Sequence, residues 1–427
     1  MLKPYALTDL SLQLSFGAGF LLAFAEMRND TERKRPAKPL RILRTSTVLQ
    51  LGLLPIQIQS FYTFAPFGIL FNLVLLCVIE FIFLCCFCAV LFSFLFLPAG
   101  YFFAGPVYYM VNAFETILKT FGRIRLTSVP LGHQSFARIV LFWAIFSLIL
   151  WLDRRTVRKM WLLLLPLWLL FLPNHNGFIR TANLSVGQGD CSVIMCGRNV
   201  IVIDCGSLSK SEVGEKIVKP FLQYYGYNEA DYLFLSHTDE DHINGIRNCP
   251  DVFGNLKGVF VDRNYMDASV LLKPAVSTDI TYTDPGDSVR IGKVTIRFLK
   301  SESLGNNDSN DLCQMLDVTA EEFHLLYFGD VSAEVLHNLK DVPKNPYLVK
   351  VPHHGSVYSL DEGFYKALKA GVSVISVGRN NYGHPSAEVV SALNRYCKKN
   401  YITKDQGAVI TVIKGGKAST FSFRESK

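Results

Sequence analysis

The chain has 427 residues, a formal net charge of +7 and 50% hydrophobic residues. That length suits two or three domains. The apolar content, with a positive mean hydropathy, excludes an ordinary soluble single-domain protein.

Charge and hydropathy divide near residue 173. Residues 1–173 carry 16 Lys+Arg and 7 Asp+Glu, a net of +9, which leaves 27 basic and 29 acidic residues, a net of −2, in 174–427. The basic excess reads as topogenic charge in loops. The slightly acidic balance of the second half argues against a strong nucleic-acid patch there.

Five apolar runs are expected to span a membrane, at 9–26, 46–64, 65–97, 136–152 and 160–172. The first lacks a basic leader and a cleavage site, so it reads as a retained helix and not a signal peptide. Cys77, Cys85, Cys86 and Cys88 sit in the third run as small hydrophobes. Arg28, Arg33, Lys34, Arg35, Lys38, Arg41 and Arg44 crowd one loop, and Arg154, Arg155, Arg158 and Lys159 crowd another. Both loops should be cytoplasmic, which requires an even number of crossings between them. Splitting 65–97 into two helices near Glu80 supplies four, and the second half of the chain then lies outside the cytoplasm. Glu80 itself reads equally as a turn residue or as an ionisable group in a water-lined path. Residues 106–126 read as an amphipathic helix at the interface.

Residues 174–427 alternate β-rich runs with glycine turns and helical stretches. Strands are expected at 178–186, 191–196, 199–204, "DYLFL", 256–261, 289–298, 312–318, 323–328, "YLVKVP" and "VSVISVG". Helices are expected at "SEVGEKIVKPFLQYYGY", "EDHINGIRN" and "SAEVVSALNRYCKKN", and a closing hairpin at "AVITVIKGG" and "ASTFSF". The pattern suggests two sheets covered by helices. Cys191, Cys196, Cys205, Cys249, Cys313 and Cys397 show neither zinc-finger spacing nor a tight disulfide framework and read as buried thiols.

The chemistry concentrates in "SHTDEDHINGI". His237, Asp239, Asp241 and His242 follow a buried strand directly and run into a helix, so their side chains can converge. Imidazoles and carboxylates together suit a borderline or hard divalent cation. Other polar residues also end apolar runs: Asp204 in "VIDCG", Asp330 in "LLYFGDV", His353 and His354 in "LVKVPHHGS", and His384 in "NNYGHPS". One such residue would be a turn former; together they make a constellation.

These motifs resemble a known family. "SHTDEDHINGI" is similar to the HxHxDH signature of the metallo-β-lactamase superfamily, in an HxDxDH form. "NLSVGQGDCSVI", "VIDCG", "LLYFGDV" and "LVKVPHHGSVYS" resemble the ComEC-like competence DNA-uptake channels, as do the helices "DLSLQLSFGAGFLLA" and "LGLLPIQIQSFYTFAPFGILFNLVLL". The resemblance implies a multi-pass α-helical membrane domain at 1–173 and a metallo-β-lactamase-like αββα sandwich at 174–427. It implies one or two divalent ions, Zn or Mn. His237 and Asp239 would hold one; Asp241, His242 and His354 a second; Asp330 would bridge. Asp190, Asp204 and His353 would support the site. Asp241 and His384 would be catalytic, with His384 approaching substrate from the rim. The expected activity is hydrolysis of phosphodiesters in the DNA strand that is not transported, outside the cytoplasm of a bacterial cell membrane. Expected partners are DNA, membrane lipid and other competence proteins or an amino-terminal channel half, with homo-oligomers an option. The alternatives are a membrane-tethered hydrolase of another phosphoester or ester, and a truncated non-catalytic remnant. Two departures stand out. "NDSNDLCQML" lacks the superfamily's third-motif histidine and has Cys313 where a serine would align. The chain also begins at what resembles mid-channel, which suggests a fragment or one half of a split channel.

Overall fold

The computed structural model describes residues 8–26, 38–122, 128–152, 162, 164–172, 177–273, 275–301 and 309–424. It separates into two compact units, residues 1–174 with 223–226, and residues 175–222 with 227–427.

The first unit is helical: α1 (Leu10–Glu26), α2 (Lys38–Phe61), α3 (Gly68–Ser93), α4 (Leu97–Gly122), α5 (Phe136–Leu152) and the short α6 (Leu167–Phe171). A two-residue strand β1 (Thr63–Phe64) pairs antiparallel with β2 (Val129–Pro130). The expected break near Glu80 is absent, since α3 runs through it. The physical reason is local. Glutamate is a good helix former, and the interior of α3 contains neither Gly nor Pro to stop the helix. The helix expected at 106–126 begins earlier, at Leu97, and holds Pro106 inside it.

Among the described residues, no helix is long and apolar enough to cross a membrane. Helices α1 and α5 have 17 residues each, short of the roughly 20 that a span needs. The clusters at Arg28–Arg35 and Arg154–Lys159 lie outside the described residues. A small core joins Leu51, Leu54 and Ile58 of α2 to Phe142 and Phe146 of α5 and Leu170 of α6. Elsewhere this unit leaves large apolar side chains uncovered, among them Phe83 (74% exposed), Phe94 (83%) and Phe102 (74%).

The second unit is a pair of stacked sheets. The strands, in chain order, are β3 (Ile179–Asn183), β4 (Cys191–Cys196), β5 (Asn199–Cys205), β6 (Tyr232–Leu235), β7 (Gly258–Asp262), β8 (Ile280–Thr283), β9 (Ser288–Ile291) and β10 (Val294–Phe298). They continue with β11 (Lys300–Ser301), β12 (Leu316–Ala320), β13 (Phe323–Tyr327), β14 (Leu339–Lys340), β15 (Leu348–Lys350), β16 (Val372–Ile375), β17 (Lys399–Ile402), β18 (Val409–Lys414) and β19 (Lys417–Ser422). One sheet has the order β19-β18-β3-β4-β5-β6-β7-β8, the other β17-β16-β15-β13-β12-β10-β9; β11 and β14 pair separately. The single strand expected at 289–298 is two, β9 and β10, folded back at Gly292 with φ +60. The strand expected at 312–318 starts later, at Leu316, after a 3₁₀ turn at Ser309–Leu312.

Ile194, Ile203 and Phe234 from the first sheet meet Ile296, Leu325 and Val374 from the second in one buried core. The helix Glu240–Arg247 contributes buried Ile243 and Ile246 beside the first sheet. Helices Glu362–Leu368 and Ala387–Tyr396 cover Leu326, Phe328 and Val349 on the outer face of the second with Tyr365, Leu368, Val389 and Leu393. The layers are therefore helix, sheet, sheet, helix. Strands β5 to β8 run parallel in one sheet, and β13, β15, β16 and β17 in the other. Functional groups in such sheets gather outside the carboxyl ends of the strands.

Candidate metal centre

Most site residues stand at or just past the end of a strand, and Asp190 immediately precedes β4. Asp204 closes β5, His237 and Asp239 follow β6, and Asp241 and His242 open the next helix. Asp330 follows β13 through Gly329, and His353 and His354 follow β15. The backbone is held out of its relaxed range here: Asp204, His353 and His354 have φ of 55, 49 and 53. Non-glycine residues reach such values only where the surroundings enforce them. Glycines permit the close approach. At Gly189 (φ +150) a Cβ would lie 2.4 Å from the Gly206 carbonyl and 2.7 Å from that of Asp241. That Asp241 carbonyl accepts the Asp190 amide at 3.1 Å, tying two site residues together.

Ligand atoms of Asp190, His242, Asp330 and His354 all lie within 4.8 Å of one another, and all four residues are buried. Nε2 of His242 is 3.4 Å from Asp330 and 3.9 Å from Asp190. Nε2 of His354 is 3.6 Å from Asp330 and 3.3 Å from Asp241. His237 and Asp239 form a separate pair at 3.6 Å, and Asp239 is 55% exposed. His237 still lies close to His242, with ring centroids 4.0 Å apart and the planes tilted by 51°. His353 lies beside His354, and its ring is 5.6 Å from that of His384.

The hydrogen bonds fix the imidazole tautomers. The Ser236 hydroxyl donates to Asp204 Oδ2 at 2.7 Å and faces His237 Nδ1 at 2.9 Å, so that nitrogen carries the proton. His242 Nδ1 donates to Asp204 at 3.0 Å, and His354 Nδ1 donates to the Ser376 carbonyl at 2.9 Å. Each Nε2 thereby faces the centre, that of His354 also meeting Asp241 Oδ2 at 3.3 Å, and Nε2 is the atom through which each ring would bind a metal once deprotonated. His237 Nε2, His242 Nε2, Asp190 Oδ1 and Asp330 Oδ1 are buried with no hydrogen-bond partner. Buried polar atoms without partners are costly, and a divalent cation would satisfy them. The donor set of imidazole and carboxylate fits a borderline or hard divalent cation.

Charge is balanced internally. Burial opposes the His242 charge, but Asp330 and Asp204 outweigh it and hold the imidazole well above its ordinary pKa. Burial likewise opposes the Asp330 carboxylate, and His242, His354 and Lys350 outweigh it, holding it well below the usual range. His353 and His384 shift the other way, down, chiefly through burial.

Two residues that the motifs do not single out belong here. Lys350, 3% exposed, donates its ammonium to Asp190 Oδ2; a lysine in the middle of the apolar run "YLVKVP" is its signal. Ser236 links Asp204, His237 and His242, and its signal is only its place before the first histidine. Asp190, expected as support, instead stands in the converging group. Cys313, in the stretch without a histidine, is buried against Gly329, and burial raises its thiol pKa well above the ordinary value.

Residues 1–156 match the family model described as Competence protein. The chain is 24% identical over 451 residues to ComE operon protein 3 of Bacillus subtilis, covering 99% of this chain. The chain is thus similar to competence proteins, over its first 156 residues by the family model and along nearly its whole length by the Bacillus subtilis relative. It spans 58% of the length of that relative. Recombination protein 2 of Haemophilus influenzae is 24% identical over 215 residues, covering 50% of this chain and 26% of that protein. Among solved structures, the metallo-β-lactamase fold protein YhfI from Bacillus subtilis aligns with a TM-score of 0.38 at 13% identity, covering 57% of this chain and 100% of that one. A single-residue mutant of the CmlA β-hydroxylase aligns with a TM-score of 0.37 at 12% identity, covering 69% and 64%.

Proposed function

We propose that this protein is a membrane component of DNA uptake whose C-terminal sandwich, residues 174–427, is a metal-dependent phosphodiesterase acting on the strand that is not transported. The observation that carries this reading is the convergence of Asp190, His242, Asp330 and His354, with buried atoms of the first three left without a hydrogen-bond partner. The similarity to competence proteins supports the DNA context.

A divalent ion in such a set acidifies water and withdraws electron density from a phosphoryl oxygen. The chain's own residues do the rest. Asp190, His242, Asp330 and His354 would hold one ion; His237, Asp239 and Asp241 are the ligands available to a second. Asp204, Ser236 and the Ser376 carbonyl keep the three imidazoles in the ligating tautomer. Lys350 neutralises part of the acid cluster. His384 stands half-buried at the rim, where it can reach substrate.

Apolar side chains left uncovered on α3, α4 and α5 support a membrane location for residues 1–173. With both basic clusters, Arg28–Arg44 and Arg154–Lys159, on the cytoplasmic side, the apolar run 160–172 that follows the second would carry the chain across the membrane. The sandwich then lies outside. Protease added to intact cells should cut it there.

The test is the full chain in detergent micelles, loaded with Mn or Zn and given a labelled single-stranded oligonucleotide. Cleavage is expected, and Asp330→Asn and His242→Ala should each abolish it. A folded, metal-loaded protein that leaves DNA intact across pH and ionic strength sinks the reading.

A further inference from the structure

Beside the metal centre, aromatic rings form a file from solvent to core. Tyr382 is 67% exposed. Its ring centroid is 6.0 Å from His384, His384 is 5.6 Å from His353, and His353 is 6.4 Å from buried His354. The first three rings are at least partly open to solvent.

The loop that presents them is built, not loose. The Asn380 carboxamide donates to the Gly378 and His384 carbonyls at 3.0 and 2.8 Å and accepts the Tyr382 and His384 amides at 3.0 and 3.1 Å. The Ser386 amide then bonds the Gly355 carbonyl at 2.9 Å, locking this loop to the one that carries His353 and His354. The exposed Tyr382 ring adds nothing to the fold's core, and the loop backbone that carries it is already ordered, which lowers the ordering that binding would cost. His384 Nδ1 is buried without a hydrogen-bond partner.

We propose that Tyr382, His384 and His353 form a stacking platform that receives the unpaired bases of a single nucleic-acid strand and leads its backbone to the metal centre. This rests on the phosphodiesterase reading for its ligand class. Stacking on aromatic faces suits it, because every base has a π-face and no sequence need be read. It also supplies affinity to a domain whose net charge is slightly acidic.

The experiment uses the full chain in detergent with metal chelated, so that nothing is cleaved. Binding of a labelled oligothymidylate is compared with that of the same backbone carrying abasic sites. Tyr382→Ala should weaken oligothymidylate binding roughly 10-fold or more and leave abasic binding unchanged, while Tyr382→Phe retains wild-type affinity. Equal binding of oligothymidylate by Tyr382→Ala and wild type overturns the platform. So does a loss shared equally by the abasic strand. Hydrolysis of bis(p-nitrophenyl) phosphate by the metal-loaded protein separates the two claims. A wild type inert on it that still shows base-dependent binding through Tyr382 refutes the phosphodiesterase and leaves the platform standing.

Discussion

Replacing Lys350 with methionine removes the ammonium that faces Asp190 while keeping a side chain of similar reach. Lys350 and Asp190 are each 3% exposed. Burial opposes the lysine charge, and Asp190, Asp330 and Asp204 outweigh it, pushing its pKa above the ordinary value. Without it, Asp190 is left among carboxylates in a buried site. Breaking one partner of a buried pair costs roughly 3–5 kcal/mol. His242 and His354 remain 3.9 and 4.0 Å from Asp190 and offset part of that. We therefore expect the lower end, about 3 kcal/mol, or roughly a 100-fold change in an opening equilibrium. The assay is amide hydrogen exchange by mass spectrometry on the full, metal-free chain, followed in β4, β13 and β15. Exchange should accelerate there and stay unchanged in α3 and α4. The double variant Lys350→Met with Asp190→Asn should recover most of the protection, because the orphaned charge is gone. A Lys350→Met chain with protection within about threefold of wild type, or a double variant whose losses simply add, would overturn this account.

Ser236→Ala should weaken Mn or Zn binding about 10–100-fold in competition titrations, because the hydroxyl orients His237 and Asp204. Gly189→Ala should destabilise the sandwich by about 1–3 kcal/mol or more, since its Cβ would meet the Gly206 and Asp241 carbonyls; thermal unfolding followed by circular dichroism measures it. Tyr327, fully buried and bonded to Thr181 at 2.9 Å, has its phenol pushed up from 10.0 to about 12, chiefly by burial. A raised folded-state pKa stabilises fully below pH 10.0 and is lost as pH rises toward about 12. Tyr327→Phe should therefore flatten the fall in stability across that window, read as the alkaline unfolding midpoint.

Much of the sandwich is legible in the chain. Short apolar runs bounded by glycine or acidic turns mark most strands, because a buried strand needs apolar residues and its end needs a turn. The loop His237–His242 is legible for the same reason: imidazoles and carboxylates clustered after a buried strand have no packing role. The unbroken α3 is a different case. Counting charges favoured a break at Glu80, but backbone propensity, which decides helix continuity locally, does not.

The order of amino acids was enough to say which residues could ligate, since only imidazoles and carboxylates at strand ends supply that chemistry. It could not say which of them meet. Asp190 and Asp204 look alike in the chain, each an acid followed by a cysteine. Only the stacking of two sheets puts Asp190 within 4.8 Å of His242, Asp330 and His354, and turns Asp204 to the back of His242. Lys350 is 160 residues from Asp190 in the chain, and the pair exists because β15 of one sheet faces the start of β4 in the other. Distances of that kind depend on how sheets pack, and packing is a property of all the buried side chains at once.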